Sequence, residues 1–161
     1  DFGGELIRIK LQLDPDNKNE KYAIGFFETG TYLEPDVSNI MIRAVRRGDF
    51  VVDVGANVGI FTVLMAKLVG TGGLVLAVEP DTYNLSVLRA NLRLNGLDNV
   101  RIVHQPLWER EEEIYFYACP DCTGSGAVWD VKLWRGNEKT RALNQPPRRF
   151  LSTTLDKEIE T

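Results

Sequence analysis

The sequence predicts an α/β domain with a parallel sheet at its core. Three observations carry that expectation. Short, mostly apolar runs recur at 50–54, 74–78 and 100–104, a length typical of strands buried on both faces. Segments with apolar residues at helical spacing lie between them. A turn containing Gly55 and Gly59 joins the first run to the first helical segment. A β-α-β-α-β rhythm implies crossover helices on a parallel sheet.

The elements follow in order. Ile7, Ile9, Leu11 and Leu13 alternate with Arg8, Lys10 and Gln12, the period of a half-buried strand. Polar residues 14–21, with Pro15 and Asn17, read as a loop, and 22–27 as a second strand, so 1–29 is expected to be an N-terminal β-hairpin. Residues 30–106 form the expected core. Pro35 and Asp36 start a helix that carries Val37, Ile40, Met41, Ala44 and Val45 on one face, with Gly48 as its C-cap. Strand 50–54, turn 55–59, a helix to Val69, strand 74–78, helix 82–95 and strand 100–104 complete it. Leu85, Leu88 and Leu92 share a face of helix 82–95, and Asn95-Gly96 stop it. After Pro106 the texture changes. Strands are expected at 114–118, 127–134 and 150–155, with an exposed loop at 135–149, so 107–161 reads as a partly antiparallel extension. The whole, 1–161, is expected to be a single, incomplete domain.

Composition narrows the class. Apolar residues make up 43% and charged residues 26% of 161, as in ordinary soluble globular proteins. A net charge of −4 gives no electrostatic case for nucleic acid or an anionic membrane as partner. No apolar run approaches the ~20 residues of a membrane-spanning helix. The start, Asp1-Phe2-Gly3-Gly4, has neither an initiator Met nor a basic-then-apolar leader and reads as an excised or processed chain. Two cysteines do not make a disulfide scaffold, so a reducing, cytoplasmic setting is expected.

The strongest chemical signal is Asp53-Val54-Gly55-Ala56-Asn57-Val58-Gly59. Glycines between a buried strand and a helix let the backbone turn sharply against a ligand. Asp53 at the strand end disfavours a phosphate and suits a ligand with a cationic amine or sulfonium, or with hydroxyl donors. Asn57 breaks the Gly-x-Gly-x-x-Gly spacing, and no Gly-Lys-Ser/Thr follows. Glu79 ends the next strand about 20 residues on, where Rossmann-like folds place the acid that accepts ribose hydroxyls. A helix-start acid beside Pro80-Asp81 is the plainer alternative.

Asp53 to Gly59, then Glu79-Pro80-Asp81, Asn84, Leu88, Asn91, Asn95-Gly96 and Asn99-Val100, resemble the FkbM-type methyltransferases. Gly30-Thr31-Tyr32 with Glu34-Pro35 and Thr153-Thr154-Leu155-Asp156 extend the resemblance, the latter as a strand segment. It implies a Rossmann-like class I methyltransferase fold, S-adenosylmethionine as cofactor and mostly O-methylation of small molecules and sugars. It also implies that Gly55, Ala56, Asn57 and Gly59 wrap the methionine part, that Asp53 lies near its amino group, and that Glu79 with Pro80 holds the ribose. Glu34 and Asn84 are further cofactor-binding candidates, and Gln105 would lie near the adenine. The family's next acidic strand block is absent, so the sheet is expected to be incomplete, or completed by a second copy. A nicotinamide-dependent oxidoreductase is the alternative enzyme class, and a non-catalytic module on the same fold a third reading.

Other features read as structural. Cys119-Pro120-Asp121-Cys122 lacks the further ligands of a zinc site. His104, the only histidine, is of the residue type that serves as a general base but stands alone at a strand end. Trp108, Trp129 and Trp134 read as core, and Arg46-Arg47 and Arg148-Arg149 as solvated surface.

Overall fold

The computed structural model describes residues 7–117 and 147–160. After an extended stretch, 7–13, come α1 (Lys18–Glu28) and α2 (Pro35–Ala44), then β1 (Phe50–Val54), α3 (Ile60–Val69), β2 (Leu74–Val78), α4 (Thr82–Leu94) and β3 (Val100–Val103). A second part holds β4 (Glu113–Phe116), β5 (Arg148–Leu151) and α5 (Leu155–Glu160).

The expected parallel sheet is present in the order β1-β2-β3. Its register aligns the strand ends, with Val54 beside Val78 and Val78 beside Val103. In β2, Val75 and Ala77 face the helices, packing with Leu68 of α3 and with Leu88 and Leu92 of α4, respectively. Leu76 and Val78 turn to the other face, where they meet Val103. These four of the five β2 residues are buried, which explains a run with no polar member. Helix α3 is apolar nearly all round because the sheet, α2 and α4 surround it.

The N-terminal hairpin is not formed. Residues 7–13 are extended and alternately half-buried and exposed, with Ile9 and Leu11 on the α4 cluster. Their partner is a helix rather than a strand. Asn95 of the α4 C-cap accepts the Lys10 N–H (2.9 Å) and donates to the Lys10 carbonyl (2.6 Å), and Asn91 accepts the Gln12 N–H (2.6 Å). The expected strand 22–27 lies inside α1. Asn17 caps that helix, its side chain accepting the N–H groups of Asn19 and Glu20. A short apolar run does not distinguish strand from helix, and here the cap decides.

Three smaller expectations also change. Helix α2 ends at Ala44 with Val45 as its cap, and Gly48 serves the turn into β1, its N–H on the Val69 carbonyl. Of residues 153–156, Thr153 makes one bridge, to Leu107, and Leu155 and Asp156 open α5. Thr154 starts that helix by accepting the Lys157 N–H on its hydroxyl. Arg148 and Arg149, expected in a loop, belong to β5, which pairs antiparallel with β4. Strand 127–134, loop residues 135–146, both cysteines, Trp129 and Trp134 lie outside the described residues. Among the described residues, no helix is long and apolar enough to cross a membrane.

Candidate functional site

Because the three strands are parallel and in register, the segments leaving them share one edge of the sheet. The glycine turn follows β1, Glu79 follows β2, and His104 and Gln105 follow β3.

The turn is built by donation onto the end of β2. Gly55 (φ +79°) and Ala56 both give their N–H groups to the Val78 carbonyl, at 2.9 and 3.0 Å. Asn57, left-handed at φ +51°, gives its N–H to Glu79 Oε2 at 2.7 Å. The Val58 N–H is taken by Asn57 Oδ1 (2.8 Å), and the Gly59 N–H by the Ala56 carbonyl (2.9 Å). A phosphate-binding nest presents such donors outward. Here five consecutive N–H groups are satisfied inside the protein. Gly59 has a second reason to be glycine: at φ +85° a Cβ would lie 2.3 Å from Leu88 Cδ1, so its absence lets α3 cross α4 closely.

Two carboxylates flank the turn. Asp53 lies on β1 opposite Ala77 and accepts the Thr62 hydroxyl at 2.5 Å. Burial pushes its pKa above the ordinary carboxylate value, and the Thr62 hydrogen bond opposes the shift. Glu79 is 4% exposed. Its Oε1 accepts the Asp81 N–H (2.7 Å) and the Asn84 side-chain amide (3.4 Å), while Oε2 holds Asn57. Burial raises its pKa too, against the pull of those donors. The plainer role considered for Glu79, an acid at the start of α4, falls to Asp81. Its Oδ1 accepts the Tyr83 and Asn84 N–H groups.

A cavity of about 330 Å³ opens between α1 and the turn. Asn19, Tyr22 and Ala23 form one wall, and Asn57 and Val58 the other, with Glu34 among the lining residues. Glu34 caps α2 in a left-handed conformation (φ 44°, ψ 72°) without a side-chain cap bond. Such strain in a non-glycine residue is concentrated at ligand sites. A larger groove of about 590 Å³, lined by Ile9, Leu11 and Phe27 among others, does not reach the turn.

The structure therefore brings Gly55, Ala56, Asn57, Gly59, Glu79 and Asn84 into one hydrogen-bonded or packed unit, with Glu34 and Asn57 lining the same cavity. Asp53 stands behind the turn, against α3. The Pro80 carbonyl meets His104 Nε2 at 3.1 Å, and that ring packs edge-on against Phe150. Gln105 shares the sheet edge but gives its amide to the Leu151 carbonyl (2.9 Å), tying β3 to β5. Three residues at the site were not anticipated from sequence: Glu20, Thr62 and Tyr83. Asn17-x-x-Glu20 has the spacing of a capping box and could have announced both α1 and its buried acid. Among the described residues no group of three His, Cys, Asp or Glu is placed to hold a metal.

A three-stranded parallel sheet with crossover helices and a glycine turn after β1 defines a Rossmann-like α/β unit. No protein-family model matches the chain. It is similar to a ribosomal protein L11 methyltransferase of Acetivibrio thermocellus, 33% identical over 104 residues, covering 61% of this chain and 33% of that protein. A second ribosomal protein L11 methyltransferase, of Thermotoga neapolitana, is 26% identical over 81% of this chain and 47% of its own length. The chain thus spans between a third and a half of the curated relatives it matches. Among solved structures, an S-adenosylmethionine-dependent O-methyltransferase of Thermotoga maritima aligns with a TM-score of 0.44 at 25% identity, over 49% of this chain and 32% of that one.

Proposed function

We propose that this chain carries the cofactor-binding unit of an S-adenosylmethionine-dependent methyltransferase. The observation that carries the reading is the glycine turn itself. Its N–H groups are turned inward, and it is flanked by Asp53 and Glu79 rather than by basic residues. Such a turn repels a pyrophosphate and favours a ligand that brings positive charge and hydroxyl donors. The similarity to two curated methyltransferases supports the same cofactor.

In this reading Gly55, Ala56, Asn57 and Gly59 shape the pocket for the methionine part, and Asp53 and Glu34 supply negative potential around it. A carboxylate has about four acceptor sites. Glu79 uses three, the weakest being the 3.4 Å contact from Asn84, so acceptor capacity remains for a ribose hydroxyl. Pro80 and Gln105 border the nucleoside end. The cofactor supplies a methyl group on a sulfonium, which passes to an acceptor lone pair while the acceptor gives up a proton. The protein's share is alignment and exclusion of water.

For the acceptor, the FkbM-type resemblance supports a hydroxyl on a small molecule or sugar, and the two relatives' names support a ribosomal protein. Methyl-transfer assays with both acceptor classes decide between them.

Calorimetric titration tests the cofactor reading. S-adenosylhomocysteine is expected to bind the wild-type chain, Glu79→Ala to lose that binding, and NAD not to bind. Binding of NAD alone would establish the oxidoreductase alternative. Binding of neither by folded protein would leave a non-catalytic module.

A further inference from the structure

We propose that Tyr83 is a positioning residue for the cofactor cleft, fixing the α1 wall against the glycine turn through a hydrogen bond to Glu20. The inference rests on the cofactor reading above and adds to it the group that sets the cleft's width.

Tyr83 stands in the first turn of α4 and bonds in two directions. Its N–H goes to Asp81 Oδ1 at 2.8 Å, and the Asp81 N–H goes to Glu79, whose other oxygen holds the Asn57 N–H. Its hydroxyl goes the other way, to Glu20 Oε1 at 3.0 Å. Glu20 is 1% exposed, and its second oxygen takes the Asp14 N–H at 2.7 Å. Glu20 belongs to α1, which forms the wall of the cavity opposite Asn57 and Val58. One chain of bonds thus runs from the turn through Glu79, Asp81, Tyr83 and Glu20 into that wall.

Packing accounts for only part of Tyr83. The residue is 40% exposed, and a Phe ring would supply the same partial burial. What tyrosine alone adds is the hydroxyl. It faces Glu20 and, at 3.5 Å, Asp14; burial first, and then these carboxylates, push its pKa up to about 12, keeping it a donor. The Tyr83–Glu20 bond joins an α1 side chain directly to the first turn of α4. Without the hydroxyl, α1 keeps its Asn17 cap but loses this bond to the α4 turn that Glu79 holds.

The wall meets the turn at Asn57 and Val58, where the methionine part would lie, and not at the strand ends beyond Glu79, where adenosine would lie. This separates positioning from general destabilisation. Tyr83→Phe keeps the ring and removes one hydrogen bond to a carboxylate, so the fold is retained. The variant is expected to weaken S-adenosylhomocysteine binding roughly tenfold, the scale of one charge-assisted hydrogen bond, with adenosine binding unchanged. In ligand-free protein, hydrogen exchange should quicken across 21–28 in α1 and stay the same across α4. Equal weakening of both ligands, or unchanged binding of both, would overturn the proposal, as would unchanged exchange in α1. If wild-type protein binds no S-adenosylhomocysteine while the variant still loosens α1, the tether stands as a structural device. The cofactor reading is then what fails, and the positioning role with it.

Discussion

Residues 7–13 and strand β2 are both short apolar stretches that pack against α4, yet their backbones are held by different means. In β2 the bonds run backbone to backbone, to β1 on one side and β3 on the other. In 7–13 two asparagines one turn apart on α4, Asn91 and Asn95, take the place of a neighbouring strand. Alternation therefore announces which side of a segment is buried and leaves open what its polar groups bond to. Asn91 also donates to the Val58 carbonyl at 2.8 Å, so one buried side chain joins the N-terminal segment to the glycine turn.

Substitutions can break or sharpen this contrast. The largest effect is expected in the parallel core at Gly59→Ala, where positive φ and the approach of Leu88 combine to cost about 2–4 kcal/mol in urea denaturation. Asn91→Ala comes next, at about 2 kcal/mol, because it strands the Gln12 N–H and the Val58 carbonyl together. Asn95→Ala is expected to cost about 1 kcal/mol. Its signature is faster exchange of the Lys10 amide with β2 unchanged.

Asp53→Asn acts in the opposite direction. Relieving a buried charge while keeping an acceptor for Thr62 should stabilise the chain at neutral pH by on the order of 1 kcal/mol, while weakening cofactor binding. Asp53 has a raised pKa in the folded protein, so between its unfolded and folded values the native state holds the extra proton. Its contribution to stability is therefore full below the unfolded value and lost as pH rises through the folded one. Denaturation across that window should show a shallower decline in Asp53→Asn than in wild type, with Glu79, shifted the same way, supplying the remaining slope. At the small end, Gly72→Ala meets open space and should change stability by less than about 0.5 kcal/mol.

The parallel core was legible because its strands are short apolar runs, with β2 buried on both faces and β1 and β3 half-buried, and its punctuation is local: Gly55 and Gly59 after β1, Asn95-Gly96 after α4. The N-terminal hairpin was not, because apolar content at 22–27 suits strand and helix alike and the deciding cap, Asn17, lay in a stretch read as a loop. Residues 153–156 fail for another reason: Thr154 caps a helix where the family resemblance implied a strand. At the site, sequence pointed to Asp53, the turn and Glu79 by their places at strand ends. It did not show that Glu79 grips the Asn57 N–H, or that Glu20 and Tyr83 close the far side, since those bonds join residues 22 and 63 positions apart.

The most direct test of the account is amide chemical-shift mapping of the chain titrated with S-adenosylhomocysteine. The account predicts the largest shifts at Gly55 to Gly59 and at Glu79, with Asn57 foremost because its N–H is held by the carboxylate that receives the ribose. Saturable binding whose shifts fall elsewhere, or no shifts in the folded protein, would contradict it.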